Sequence, residues 1–162
     1  RKPTSSLKMK LPGWQVALGN RVERFKRQIR NQVRKEFGAT LPGDDAKRIN
    51  LALDHGQAFV DKINTAKLVV QLVLKTRMAV IKQNKGISIN DSNKIRTFAQ
   101  HDQRAMPTAI VATAVVQAKE LDLATLQAPD AAKKLQPVFS KALDGWFNQT
   151  VASIAKRMEE KK

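Results

Sequence analysis

Apolar residues in this chain return at every third or fourth position and almost nowhere alternate. Trp14, Leu18, Val22, Phe25, Ile29 and Val33 form the first such series. At about 100° per residue they share roughly one third of a helical wheel. Ile49, Leu53, Gly56, Val60, Ile63, Val70, Leu74 and Ile81 continue the pattern. The stretch closest to strand character, ISI at 87–89, is too short to argue from. A chain patterned this way is confined to the all-α class, because each helix must bury its stripe against the others.

Glycine and proline punctuate the pattern. Gly38 closes the first series, so a helix is expected over 14–37. Asp44 or Asp45 is a candidate cap for the next one. That pattern runs from 44 to 85 and stops at Gly86. Unbroken it would be about 60 Å long, so a break or kink near Asp54–Gly56 is expected. A pattern of that length could also seat a partner helix. Asp91 or Ser92 caps a short helix over about 92–105, which Met106-Pro107 ends. Pro107 then suits the first turn of a helix over 107–127, whose Ala and Val content and few charges mark it as the central element. Pro129-Asp130 resets the chain, and a final helical region reaches about residue 160, divided by Pro137 and Gly145. The expected architecture is a bundle of about five or six helices. A flexible basic N-terminal arm occupies 1–13, and a single helical domain spans 14–162.

Composition narrows the chemistry. At 162 residues the chain can bury a core without a metal or disulfide. With two Trp, six Phe and no Tyr, that core must be mostly Val, Ile, Leu and Ala. The absence of Cys removes disulfides, thiolate metal sites and thiol nucleophiles together. The sequence opens on Arg1 rather than Met, which points to a processed product or an excised segment. No signal-peptide pattern lines up. The longest apolar run, LVVQLVLKTRMAVI at 68–81, is interrupted by Gln71, Lys75 and Arg77 and falls short of a membrane span.

Most of the remaining information is in the charge. The chain carries 30 Lys and Arg against 14 Asp and Glu, +16 in all. Residues 1–85 hold 19 basic and 6 acidic residues, and residues 86–162 hold 11 and 8. The densest stretch is RVERFKRQIRNQVRK at 21–35. It sets Arg21, Arg24, Lys26, Arg27, Arg30, Arg34 and Lys35 against Glu23 alone. A solvated helix face usually mixes signs, and this one barely does. Its arginines outnumber its lysines, and guanidinium forks match phosphate oxygens. Lys8 and Lys10 in the arm extend the same surface. The series predicts a helix with one apolar stripe and a broad cationic flank that follows a nucleic-acid backbone, DNA or RNA, with little base reading. Trp14, Phe25 and Phe37 sit on or near the apolar stripe, which argues against base stacking.

Other chemistries find little support. The histidines are His55 and His101, each beside an aspartate, Asp54 and Asp102. They lack the usual ligand spacings, although facing helices could assemble a two-His, two-carboxylate cluster. The same pair is the candidate acid and base of a metal-free or His-dependent nuclease. Phosphate-binding glycine loops and nucleophile elbows are absent. The expectation is therefore a non-enzymatic nucleic-acid-binding protein without a cofactor, an accessory subunit among other protein subunits of a nucleoprotein assembly, cytoplasmic or nucleoprotein-associated. The rival is a secreted or injected helical effector or toxin domain that turns the basic face to a membrane surface or a protein.

Overall fold

The computed structural model describes residues 25–41, 43–84 and 86–160, and these contain no strand. Their helices are α1 (Lys26–Phe37), α2 (Gly43–Asp61), α3 (Thr65–Asn84), α4 (Ile89–Asp102), α5 (Met106–Glu120), α6 (Leu123–Gln127) and α7 (Ala131–Glu160), with a 3-10 turn at Gln103–Ala105. Six of these are long and α6 is a single short turn, so the chain is the all-α bundle its periodicity requires. The expected arm at 1–13 and the beginning of the first helix at 14–24 lie outside the described residues.

α5 is the central element. Its Met106, Ile110, Val111, Ala114, Val115 and Ala118 are buried, and α1, α2 and α7 pack around it. The small residues on α5 let α2 come close. A Cβ added at Gly56 would lie 3.4 Å from Ala114 Cβ and 3.5 Å from Ile110 Cγ2. Gly56 is thus a close helix crossing, not the break expected near Asp54–Gly56. The long 44–85 pattern is interrupted instead at 62–64, between α2 and α3. The Asn64 side chain accepts the Lys67 backbone N–H at 3.1 Å and starts α3 there.

Other boundaries also move for local reasons. Asp44 and Asp45 lie inside the first turn of α2, where carboxylates suit the helix dipole, and Asp45 is ion-paired with Arg48. Ser88, not Asp91 or Ser92, caps α4, accepting the Asp91 N–H at 3.0 Å. The helix expected over 107–127 divides at Leu121, which is extended; Asp122 then accepts the Thr125 N–H at 2.8 Å and opens α6. Pro137 and Gly145 do not divide α7, which runs unbroken for 30 residues. Pro137 and Lys133 are both exposed, so the carbonyl that loses its partner is on the solvent side of the helix.

Two apolar cores result. The first joins Ile29 and Val33 of α1, Ile49 and Leu53 of α2, the buried face of α5, Leu126 of α6, and Leu135 and Phe139 of α7. The second joins Leu72 and Val80 of α3, Ile95 and Ala99 of α4, and Ile154, Ala155 and Met158 of α7. Trp146 and Phe147, midway along α7, pack against both. No helix among the described residues is long and apolar enough to cross a membrane.

Candidate nucleic-acid interface

α1 presents the described part of the basic stretch. Ile29 and Val33 are fully buried, one turn apart, and fix which way the helix faces. Gly38 ends it with φ of +84°, a conformation that favours glycine, and its N–H bonds to the Arg34 carbonyl at 2.9 Å. Arg34 and Lys35 in the last turn face the negative end of the helix dipole.

The remaining orientation follows from the buried pair. At about 100° per residue, Arg27 and Arg34 point away from Ile29, and Lys26 and Arg30 occupy the adjoining flank. Burial agrees: Arg27, Arg34 and Lys35 are exposed, and Lys26 and Arg30 are half-buried. Arg27 to Arg34 covers about 10 Å of helix axis, comparable to three nucleotide steps of roughly 3.4 Å on one strand. Asn31, also exposed, stands between them as an uncharged donor.

The single acid of α1 is turned the other way. Glu36 accepts from the Gln32 amide at 3.1 Å and lies 3.8 Å from the Lys119 ammonium of α5. Among the described residues, Arg27, Arg30, Arg34 and Lys35 make no ion pair. Arg21, Arg24, Lys8 and Lys10, the other residues assigned to this surface, lie outside the described part.

α1 runs roughly parallel to α5. Its C-terminal Glu36 meets Lys119, and its first turn borders a cleft of about 560 Å³ that also reaches Ala105 and Thr108. That cleft brings in Arg104 from the 3-10 turn, an exposed cation the sequence pattern did not single out, because it stands apart from any basic run.

The two histidines are not brought together. His55 Nε2 lies 3.1 Å from the Leu126 carbonyl and ties α2 to α6. It lines a separate cavity of about 430 Å³ with Lys62 and Lys133. His101 is exposed beside the 560 Å³ cleft, with Nδ1 3.2 Å from Asp102 Oδ1. Asp102 is also ion-paired with Arg157, whose guanidinium sits 4.6 Å from the centre of the Phe98 ring. These contacts join α4 to α7. Among the described residues no group of three or more His, Asp or Glu could hold a metal ion.

The Asp122 carboxyl is held by its own helix cap. Hydrogen bonds from Thr125, side chain and then backbone, hold it below the usual carboxylate range. It caps α6 and has no place in the basic surface. Compared with known proteins, the chain matches no family model, no curated protein and no solved structure.

Proposed function

We propose that this chain is a non-enzymatic nucleic-acid-binding protein that holds a phosphate backbone along the outer flank of α1, as an accessory subunit of a nucleoprotein assembly. The observation that carries this reading is the charge of Arg27, Arg30, Arg34 and Lys35, which make no ion pair among the described residues. Their helix has one acid, Glu36, and that acid is occupied on the inner side by Lys119. Cations that no described acid engages keep their capacity for phosphate oxygens. The aromatic residues bordering α1, Phe25 and Phe37, pack against the first core, so contact through charge rather than base stacking fits the surface.

The test is fluorescence anisotropy of labelled duplex DNA and labelled RNA over a salt series, with wild type and Arg27→Glu/Arg30→Glu/Arg34→Glu. Binding should fall log-linearly with salt and collapse in the triple variant. A folded wild-type chain that binds neither at low salt overturns the reading. Binding instead to anionic vesicles through the same three residues would assign the face to a membrane surface.

A further inference from the structure

α3 is apolar on two opposite faces. Leu68, Leu72 and Val80 are buried, and the last two form the second core with α7. Thr76 lies fully buried on the same line. Val70, Leu74 and Ile81 point about 180° away from Leu72, with Met78 beside them. They are 56%, 53%, 42% and 55% exposed in the order Val70, Leu74, Ile81, Met78. Ile89, where α4 begins, adds an 82% exposed side chain at the same end of the hairpin. The four on α3 are large hydrophobics left in solvent along one face, the pattern that marks an interaction surface.

Val70 and Leu74, the N-terminal part of the outer line, border a groove of about 450 Å³ between α3 and α4, and Met78 and Ile81 continue the line beyond it toward the C-terminal end of α3. Ala66, Val69, Val70, Val73 and Leu74 give it an apolar lining, to which Arg77, Arg96 and Gln100 add polar groups. Lys67, Lys75 and Lys82 follow the opposite edge of the line, and α3 contains no acid. None of these cations makes an ion pair among the described residues.

Charge selects the occupant. A second copy meeting this face through its own α3 would set one row of cations against another. The N-terminal segment 1–24 carries six cations against Glu23 and repels for the same reason. A membrane surface favours projecting Trp, Phe and Leu. Here the line lacks aromatics, and valines line a recess between two helices. We infer that the α3–α4 groove, together with the outer line of α3 that continues beyond it, receives an acidic amphipathic helix of a partner protein. Apolar residues of that helix, spaced by three and four, seat along Val70, Leu74, Met78 and Ile81. Its carboxylates meet Lys75, Lys82, Arg77 and Arg96 at the edges. This stands independently of the reading of α1.

The probe is a labelled helical peptide with leucines at three- and four-residue spacing flanked by glutamates, beside a version with lysine for every glutamate. The full chain should bind the glutamate peptide in the micromolar range and the lysine peptide at least about tenfold more weakly. Leu74→Asp/Met78→Asp should lose about tenfold or more in affinity. Lys75→Glu/Lys82→Glu should weaken binding and flatten its salt dependence. Arg27→Glu/Arg30→Glu/Arg34→Glu should leave it unchanged, which separates this site from α1. Leu74→Ser, with circular dichroism on every variant, guards against a folding defect. The inference is overturned if the folded wild type ignores the glutamate peptide, if both peptides bind equally, or if the Leu74 and Met78 changes leave binding intact. It is equally overturned if those changes abolish a dimer seen by sedimentation, or binding to phosphatidylserine vesicles, while peptide affinity stays the same.

Discussion

α1 and α3 are both basic helices on the surface of one bundle, and they handle their apolar residues in opposite ways. α1 sends Ile29 and Val33 into the first core and leaves Arg27, Asn31 and Arg34 outside. α3 sends Leu72 and Val80 into the second core and leaves Val70, Leu74, Met78 and Ile81 outside. Charge surrounded by water attracts a polyanion at a distance. Charge at the edge of an exposed apolar line adds register to a contact whose free energy comes from removing that line from water. Two helices of the same sign are thus suited to partners of different chemistry, and what separates them is the residue opposite the buried face.

The sharpest way to break that comparison is inside α3. Leu72→Ala should cost about 2–5 kcal/mol in urea unfolding, and Leu74→Ala, two residues on, should stay within about 0.5 kcal/mol of wild type. Equal losses would mean that the outer line is part of the core. Next in size is the dissociation of the two surfaces. Arg27→Glu/Arg30→Glu/Arg34→Glu should weaken nucleic-acid binding by about a hundredfold or more at moderate salt, and Leu74→Asp/Met78→Asp should leave it unchanged. Gly56→Leu, at the α2–α5 crossing that underlies the first core, should cost about 1–3 kcal/mol by overpacking against Ala114 and Ile110. The smallest effect tests the inner face of α3. Thr76 is fully buried and its hydroxyl has no hydrogen-bond partner among the described residues. Thr76→Val should therefore raise stability by about 1 kcal/mol, read as a higher midpoint in thermal unfolding.

The all-α class, the central place of α5 and the inward side of α1 were legible because each rests on strong periodicity with polar residues opposite. α3 was harder. Val, Leu and Ile occur around most of its circumference, so 70, 74 and 81 match the helical repeat as well as 68, 72 and 80 do. Counting alone joined the outer line to the stripe of α2. The break that reorients it, at 62–64, holds neither Gly nor Pro, and its signal is Asn64 acting as a cap. The residues that looked like breaks had other circumstances. Gly56 is a packing contact, and Pro137 and Gly145 lie on the exposed side of a helix anchored at both ends. In the basic surface, the run at 21–35 was plain from composition. The inward turn of Glu36 and the addition of Arg104 depend on where α5 and the 3-10 turn sit, which no local pattern encodes.

α7 passes through both cores, and Trp146 and Phe147 at its midpoint belong to each. Opening either core would strip one side from these rings and expose apolar area still needed by the other. The two halves are therefore coupled in their fluctuations and should melt in one transition rather than two. In native-state hydrogen exchange, the amides around Trp146 should be among the slowest in the molecule, released only by global unfolding. The outer residues of α3 and the exposed ends of α4 should exchange through smaller, local openings.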